Sequence, residues 1–434
     1  MSLIEPKVLK GFRDFLPDRE AVRLALVRKL QAVFDRYGFA PIDTPVLEYA
    51  EVLLGKGGGE TDKQVYRFTD HGGRDVAMRY DLTVPFARFM AAHLGELPLP
   101  FKRWHAAKVW RGENTQRGRY REFVQVDFDT VGTEAASADL EILLLMRESF
   151  LGLGLGGVKV HYAHRGVFNA FLARLGLSEK SVEVLRTIDK ERKIGREKTR
   201  ELLAGVAGPA NADRILDYAR VESTAAATRA KLGEAAGRDV PGVKRLDEIG
   251  AALEALGVEP TFVLDPSITR GLDYYTGIVY ETFLDRLPGI GSVCSGGRYD
   301  DLASLYTSQR LPGVGASIGL DRLMAAMEEL GEAGQGTAGP SVLVVMLEEG
   351  LLAEYHRIAG SFREAGIAAE VYPEPRKIAA QFAYAEKRGI SLAVICGSDE
   401  RAKGVVNLKD LRNRESLEGL TLADATARAA ALLR

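Results

Sequence analysis

The stretch Gly331–Pro340, with the sequence GEAGQGTAGP, indicates that this chain consists of two parts that fold separately. Glycine and proline at this density hold neither a helix nor a strand, so the stretch predicts a linker between separately folded parts. The chain has 434 residues, whereas a domain usually contains about 100–200 residues. We therefore expect more than one hydrophobic core, with a separate domain at residues 341–434.

The composition favours a soluble globular protein. Hydrophobic residues make up 46% and charged residues 27% of the chain, which is close to the average for such proteins. A net charge of −2 leaves only local basic patches to bind nucleic acid. Cys294 and Cys396 form neither a CxxC pair nor a disulfide framework. Because the sequence shows neither a signal peptide nor an apolar run of ~18 residues, we expect a cytoplasmic protein without a membrane segment.

The residues before the linker combine strands with helices. Residues 166–256 are rich in Ala, Leu and alternating charges, which predicts a helical insertion. Strand-like runs resume at Thr261–Leu264 and Tyr274–Leu284. We therefore predict a discontinuous α+β domain at residues 1–165 and 257–330, an insertion at 166–256 and a linker at 331–340.

Two strand-like runs, Lys102–Trp110 and Arg121–Val131, predict a long antiparallel hairpin with a polar loop. Alternation along the second run separates its side chains into two sets, with Phe123, Gln125, Asp127 and Asp129 on one face and Val124, Val126 and Phe128 on the other. The apolar face is predicted to pack in the hydrophobic core. The polar face is consistent with a solvated surface or with a ligand site.

The residues after the linker alternate between strand and helix patterns from Ser341 onward, which predicts a small α/β layer with a mainly parallel sheet. Basic residues outnumber acidic ones by five between Arg376 and Arg414. This excess is consistent with an RNA-binding surface and also with ordinary solvated helix faces.

Several short motifs do not carry the chemistry that they suggest. The GxGxxG at Gly152–Gly157 leads into a strand, which is the reverse of the order in a dinucleotide site. The glycine-rich Gly55–Glu60 lacks the spacing of a phosphate-binding loop. His161 and His164 have no third ligand nearby, so we expect a core or hydrogen-bonding role for them and predict no protein-bound metal site.

Three segments, Arg79–Thr83, Arg111–Asp129 and Arg270–Tyr275, combine arginines, carboxylates and glycines as a core would not require. An arginine in a strand is costly to bury unless it faces an anion. Arg111 and Arg270 together with nearby acceptors therefore predict a pocket for a polyphosphate and a donor-bearing or cationic ligand.

Six segments in order along the chain resemble one family. Trp110–Asp129 (WRGENTQRGRYREFVQVDFD) and Gly313–Leu323 (GVGASIGLDRL) resemble the second and third signature motifs of class II aminoacyl-tRNA synthetases. The segments that resemble histidyl-tRNA synthetases in particular are RGLDYYTGIVYE at Arg270–Glu281, SGGRYDDL at Ser295–Leu302, MRYDLTVPFARF at Met78–Phe89 and GVVNLKDL at Gly404–Leu411.

This resemblance implies a class II antiparallel sheet with helices, a helical insertion, a C-terminal α/β anticodon-binding domain and a homodimer. It implies that L-histidine reacts with ATP to give histidyl-adenylate and pyrophosphate, and that histidine then passes to the 3′ end of tRNA(His). Mg²⁺ would bridge the phosphates of ATP.

The resemblance also implies roles for individual residues. Arg111 would hold the α-phosphate from one side and Arg270 from the other, and both would stabilise the charge that develops there. The positions that match the ATP site are Arg111, Glu113, Arg119, Phe123, Gln125, Arg270, Gly315 and Arg322. The positions that match the histidine site are Asp81, Thr83, Gln125, Asp129, Tyr274, Tyr275 and Gly297. Gly296, Gly297 and Gly315 would let the backbone approach the substrate.

Two other functions stay open at this point. A synthetase-like regulatory protein, such as a regulatory subunit of ATP phosphoribosyltransferase or a sensor of uncharged tRNA, would share the fold without the ligase activity. A class II synthetase for another small amino acid would share the reaction. Asp81 and Asp129 occupy positions where many bacterial histidyl-tRNA synthetases have Glu, so the dimensions of the pocket in those bacterial enzymes do not transfer to this chain. The loop Gly112–Gly118 leaves open whether this chain recognises an extra 5′ guanosine on the tRNA.

Overall fold

The computed structural model describes residues 3–55, 64–268, 275–333 and 339–433. The chain divides into two compact units, one of Met1–Phe15 with Val22–Gly334 and one of Leu16–Ala21 with Gln335–Arg434. The division falls within the stretch that the sequence analysis identified as a linker, while the exact domain bounds given there stay predictions.

Strands of the first unit form a large sheet and a small one. The strands are β1 (Ala40–Pro41), β2 (Leu47–Tyr49), β3 (Arg67–Thr69), β4 (Asp75–Met78), β5 (Phe101–Trp110), β6 (Glu122–Val131), β7 (Val158–His164), β8 (Phe262–Leu264), β9 (Ile278–Leu284), β10 (Cys294–Tyr299) and β11 (Gly313–Gly319). The large sheet has the order β1-β5-β6-β11-β10-β9-β7-β8, and the small sheet has the order β2-β4-β3. Strands β5 to β7 and β9 to β11 pair antiparallel, while β1 and β8 join the two edges in parallel.

The helices before the linker are α1 (Pro17–Arg36), α2 (Ala50–Leu54), α3 (Thr83–Ala92), α4 (Ala136–Leu153), α5 (Arg165–Arg174), α6 (Ser181–Ile188), α7 (Glu191–Ile194), α8 (Arg196–Ala207), α9 (Pro209–Tyr218), α10 (Ala225–Ala236), α11 (Pro241–Ala255) and α12 (Leu320–Leu330). Apolar residues of α1 and α4, such as Phe34 and Met146, share one core cluster with Val126 and Phe128 of β6. One face of the large sheet is therefore covered by helices. The helices α5 to α11 occupy residues 165–255, the region with the helical pattern.

The second unit contains a five-stranded sheet with helices. Its elements are β12 (Val342–Val344), α13 (Leu352–Glu364), β13 (Ala369–Val371), α14 (Ile378–Lys387), β14 (Leu392–Ile395), α15 (Ser398–Lys403), β15 (Val406–Asp410), β16 (Glu415–Leu420) and α16 (Leu422–Leu432), and the strand order is β13-β12-β14-β15-β16. Strand β12 pairs parallel with β13 and β14, but β14 with β15 and β15 with β16 pair antiparallel. The expectation of a mainly parallel sheet is wrong, because the connections from β14 to β15 and from β15 to β16 are both shorter than the dozen or so residues that a parallel crossover needs.

The predicted fold class is confirmed: the protein is α+β, with a large antiparallel-rich sheet, helices and a C-terminal α/β unit. The predicted hairpin is also present as β5 and β6, which pair from Phe101 opposite Val131 to Trp110 opposite Glu122. Strand β11 and the small sheet were not predicted. Seven of the eleven residues of the predicted run Tyr274–Leu284 form β9, and Tyr274 lies outside the described residues.

Candidate functional site

The polar face of β6 is buried rather than solvated. Gln125, Asp127 and Asp129 are only 8%, 1% and 2% exposed. The solvated-surface interpretation is therefore wrong for these three residues. Because these side chains are shielded from solvent, each of their polar atoms needs a partner in the protein or in a ligand.

A single row across the large sheet places charge beside open backbone. Arg103 of β5 lies opposite Asp129 of β6, Asp129 lies opposite Gly315 of β11, and Gly315 lies opposite Gly297 of β10. At one end of the row are two charged side chains, and at the other end are two glycines, which have no side chain. This arrangement leaves space above the glycines for Asp129 and its surroundings.

The two glycines make room first for protein atoms. A Cβ at Gly315 would lie 1.9 Å from Oδ1 of Asp129, and a Cβ at Gly297 would lie 2.8 Å from Cδ1 of Tyr275. Such distances are far below van der Waals contact, so any side chain there would displace Asp129 or Tyr275. In the structure these glycines accommodate two predicted histidine-binding side chains. Close approach of their backbone to a substrate stays a prediction.

Asp129 is held by two residues that the sequence analysis did not identify. Nη2 of Arg103 lies 2.7 Å from Oδ2 of Asp129, and Tyr299 donates its hydroxyl to Oδ1 at 2.5 Å. Arg103 is fully buried and also donates to the carbonyl oxygen of Leu82 at 3.2 Å. Burial raises the pKa of Asp129, while the charge of Arg103 and the bond from Tyr299 oppose that shift. Tyr299 lies in the SGGRYDDL motif, so that motif was the available signal.

Asp81 lies at the start of α3, close to the same buried region. Its Oδ1 accepts a hydrogen bond from the backbone N–H of Val84 at 3.0 Å, and Thr83 begins the helix. Burial raises the pKa of Asp81, and the Val84 bond and the nearby charges of Arg111 and Arg103 oppose the shift. The structure therefore brings Asp81 and Arg111 within electrostatic reach of each other, as the predicted site requires.

Three arginines converge at the other end of the site. Burial and the nearby charge of Arg119 lower the pKa of Arg322 to about 10, and the charge of Arg111 adds to this effect while that of Glu113 opposes it. Arg322 also donates to the carbonyl oxygen of Ser292 at 2.5 Å. Three guanidinium groups near two carboxylates, Glu113 and Glu281, leave an excess of positive charge that suits a polyphosphate.

Phe123 connects the positive region with the buried carboxylates. Its ring centroid lies 5.2 Å from Cζ of Arg111, whose Nε donates to the carbonyl oxygen of Tyr80 at 2.8 Å. Oε2 of Glu113 lies 3.4 Å from Nη1 of Arg119. The partly exposed Phe123 ring is available for stacking with a flat base, and Arg111 is oriented by the backbone beside it.

Two predicted site residues, Arg270 and Tyr274, lie outside the described residues. Tyr275, the next residue, is buried, and its ring adjoins Gly297. The described part of the site therefore contains Asp81, Thr83, Arg111, Glu113, Arg119, Phe123, Gln125, Asp129, Tyr275, Gly297, Gly315 and Arg322.

The two histidines of β7 have protein partners. Nδ1 of His161 lies 2.8 Å from Oδ2 of Asp265, and Nδ1 of His164 accepts a hydrogen bond from the backbone N–H of Gly166 at 3.1 Å. Among the residues that the structure describes, no group of three His, Cys, Asp or Glu side chains could hold a metal ion.

Comparison with known proteins identifies the family. Residues 11–323 match the family model for histidyl-tRNA synthetase, and residues 341–430 match the one for an anticodon binding domain. The chain belongs to the histidyl-tRNA synthetase family. The first match includes every candidate site residue from Asp81 to Arg322.

Relatives in this family align over nearly the whole chain. A histidine–tRNA ligase of Treponema denticola is 51% identical over 429 residues, and one of Rhodopirellula baltica is 48% identical over 420 residues; each match covers 95% of both proteins. The crystal structure of histidyl-tRNA synthetase from Nostoc sp. PCC 7120 has a TM-score of 0.87 at 32% identity, covering 99% of this chain and 100% of that one. The predicted resemblance to histidyl-tRNA synthetases is confirmed.

None of the helices within the described ranges is long and apolar enough to cross a membrane.

Proposed function

We propose that this chain is a histidine–tRNA ligase. It activates L-histidine with ATP to give histidyl-adenylate and pyrophosphate, and then transfers histidine to the 3′ end of tRNA(His). The observation that carries the proposal is the division of one site into a positive region around Arg111 and Arg322 and a buried acidic region around Asp81 and Asp129. ATP and a cationic amino acid need these two environments side by side.

The positive region binds ATP. Arg111 holds the α-phosphate and Arg322 the γ-phosphate, and their guanidinium groups offset the charge that develops when the histidine carboxylate attacks the α-phosphorus. Phe123 stacks on adenine, and Glu113 accepts a hydrogen bond from its amino group. Arg119, Gln125 and Gly315 complete the ATP site, and Arg270 acts on the α-phosphate from the opposite side.

The acidic region binds histidine. Asp81, Thr83 and Gln125 receive the α-ammonium group, while Asp129 and Tyr275, with Tyr274, bind the two nitrogens of the imidazole ring. Gly297 supports this arrangement because its missing side chain makes room for the Tyr275 ring. An apolar amino acid would leave these buried polar groups without partners, so we expect strong selection for histidine without editing.

Mg²⁺ is the cation that would accompany ATP. It binds phosphate oxygens and needs only one or two protein carboxylates. No group of three His, Cys, Asp or Glu side chains among the described residues could hold the cation by itself, so the ATP phosphates would supply most of its ligands. The cation would neutralise charge on the phosphates.

The C-terminal unit would bind the anticodon of tRNA(His), supported by its match to an anticodon-binding domain and by the basic excess between Arg376 and Arg414. The resemblance to histidyl-tRNA synthetases also supports a homodimer in the cytoplasm.

Charging of tRNA tests this proposal. The purified chain should attach labelled histidine to a tRNA(His) transcript in the presence of ATP and Mg²⁺, and should not charge a tRNA(Phe) transcript. Parallel transcripts with and without the extra 5′ guanosine will show whether that nucleotide is required. Failure to charge either tRNA(His) transcript would contradict the proposal and favour a regulatory protein.

A further inference from the structure

Three polar side chains on β6 and β11 form a connected series that the proposed function does not yet explain. Asp127 lies directly opposite Ser317, and Gln125 lies opposite Gly319, two residues further along β11. Asp127 is 1% exposed. A buried carboxylate on the substrate face of the sheet calls for a partner or a role.

The hydrogen bonds of this series have a defined direction. Nε2 of Gln125 donates to Oγ of Ser317 at 2.9 Å. Ser317 lies directly opposite Asp127, and its hydroxyl, as a donor toward the carboxylate, opposes the rise in the pKa of Asp127. Once Asp127 is ionised, above its raised pKa of about 7, its carboxylate only accepts, so the Ser317 proton then points toward Asp127 and the Ser317 oxygen accepts from Gln125. This order fixes the amide of Gln125 with its nitrogen toward Ser317 and its carbonyl oxygen turned away.

Two acceptor atoms are left over on the same face. Oε1 of Gln125 and Oδ1 of Asp127 are buried and have no hydrogen-bond partner among the described residues. Nη2 of Arg103 lies 3.8 Å from Oδ2 of Asp127 but 2.7 Å from Oδ2 of Asp129, so this cation is paired mainly with Asp129. The region around Asp81, Asp127 and Asp129 is therefore rich in negative charge and in acceptors, which suits a cationic donor.

We propose that Asp127 is a positioning residue for the amino-acid substrate, because through Ser317 it holds the carbonyl oxygen of Gln125 toward the α-ammonium group. This inference rests on the proposed function, in which Gln125 contacts that group. The reversed amide would present N–H donors to a cation, which is repulsive. The Asp127–Ser317–Gln125 series therefore favours substrates that carry an α-ammonium group.

Variants of Ser317 separate this role from a structural one. Ser317→Ala breaks the series, and Ser317→Thr keeps the hydroxyl. In histidine-dependent ATP–pyrophosphate exchange, Ser317→Ala should raise KM for histidine about tenfold, the factor that ~1.4 kcal/mol represents, with little change in KM for ATP. Ser317→Thr should restore KM to within about threefold of the wild-type value. Asp127→Asn should resemble Ser317→Ala, since its amide no longer imposes one direction.

A pair of inhibitors provides a readout that a general loss of structure would not give. Histidinol carries the α-ammonium group, and 3-(imidazol-4-yl)propan-1-ol lacks it. Ser317→Ala should weaken inhibition by histidinol about tenfold and leave inhibition by the deamino analogue unchanged. Thr282→Val is the matched control, because it removes a buried hydroxyl that has no hydrogen-bond partner among the described residues and lies on the opposite face of the same sheet.

The outcomes distinguish this inference from the function on which it rests. A wild-type chain without histidine-dependent exchange would overturn the proposed function together with this role. An active wild type whose Ser317→Ala and Asp127→Asn variants keep its KM for histidine and its inhibition by histidinol would overturn the positioning role alone. Equal weakening of both inhibitors would also overturn it, because the effect would then not depend on the ammonium group.

Discussion

Gly315 is the residue where the geometry of the site is tightest. It faces Asp129 across the β6–β11 pairing, and Asp129 in turn holds Arg103 and Tyr299. These contacts depend on one another because any atom added at Gly315 occupies the position of the Asp129 carboxylate. A glycine in the third signature motif therefore supports a side chain from the second.

Gly315→Ala should disrupt the site. Its Cβ would lie 1.9 Å from Oδ1 of Asp129, so the carboxylate must leave Arg103, and breaking a buried ion pair costs about 3–5 kcal/mol. We expect a lower free energy of unfolding in urea and a loss of histidine-dependent exchange. Gly319→Ala in the same strand is the control, since its nearest atoms lie 3.9 Å away. Equal behaviour of the two variants would contradict this explanation.

Asp127 gives the stability a defined pH dependence. Burial, together with the charge of Asp129, raises its pKa to about 7 against the opposing charge of Arg103, whereas an unfolded Asp has a pKa of about 3.9. The folded state therefore binds the proton more tightly, and this contribution to stability is lost as the pH rises from about 4 to about 7. Urea unfolding across that range should show the loss in wild type and not in Asp127→Asn. If the unfolding free energies of wild type and Asp127→Asn changed in parallel with pH, Asp127 would not titrate in this range.

At this scale the sequence identified some members of the site but not their partners. Alternation along β6 was enough to group Gln125, Asp127 and Asp129 on one face. Arg103 and Tyr299 could not be assigned as partners of Asp129, because they come from β5 and β10 and only the pairing register brings them together. Arg270 and Tyr274 lie outside the described residues, so their roles stay predictions.

The N-cap residue of helix α5 is a histidine that must stay neutral. Nδ1 of His164 accepts the N–H of Gly166, which a protonated ring could not do. Removal from solvent, with the charges of Arg245 and Arg298, lowers the pKa of His164 to about 4. The N-cap of α5 is therefore sensitive to acid.

His164→Asn should remove that sensitivity. Asn is a good N-cap residue and does not titrate. The stability from neutral His164 is present above the unfolded pKa of about 6.5 and is lost as the pH falls toward 4, on the order of 1–3 kcal/mol. The difference in unfolding free energy between wild type and His164→Asn should change by that amount between pH 7.5 and pH 4.5. A constant difference would contradict the assignment.

The secondary-structure elements that were not predicted have sequences with little preference for a strand or a helix. Strand β11 contains three glycines, which read as loop because they lack the β-branched side chains of most strands. Its strand conformation comes from pairing with β6 and β10 on either side. By contrast, β5 and β6 are long and alternate clearly, so the hairpin was predicted to within a residue or two.

The described parts of the candidate site all belong to the first unit, while the C-terminal unit has a hydrophobic core of its own around Val344, Phe362 and Leu392. Activation and tRNA selection should therefore be separable. A chain that ends at Pro340 should keep histidine-dependent exchange and charge tRNA(His) far more slowly than the full chain. Loss of exchange as well would show that the C-terminal unit supports the catalytic part.

At the scale of the whole molecule, the sequence was sufficient for the fold class and the family, because six motifs spread along the chain must occur together. It was less informative about the C-terminal sheet, where β16 and the antiparallel half depend on a short connection with no strong pattern. Strand order in the large sheet also depends on pairings between segments that are distant in sequence.

Amino-acid-dependent ATP–pyrophosphate exchange, measured with each of the twenty amino acids in turn and without tRNA, tests the central claim most directly. The two-part site predicts exchange with histidine alone, because only histidine offers both an ammonium group to Asp81 and two ring nitrogens to Asp129 and Tyr275. Silence with all twenty amino acids, or comparable exchange with an apolar amino acid, would contradict the assignment of this site to histidine activation.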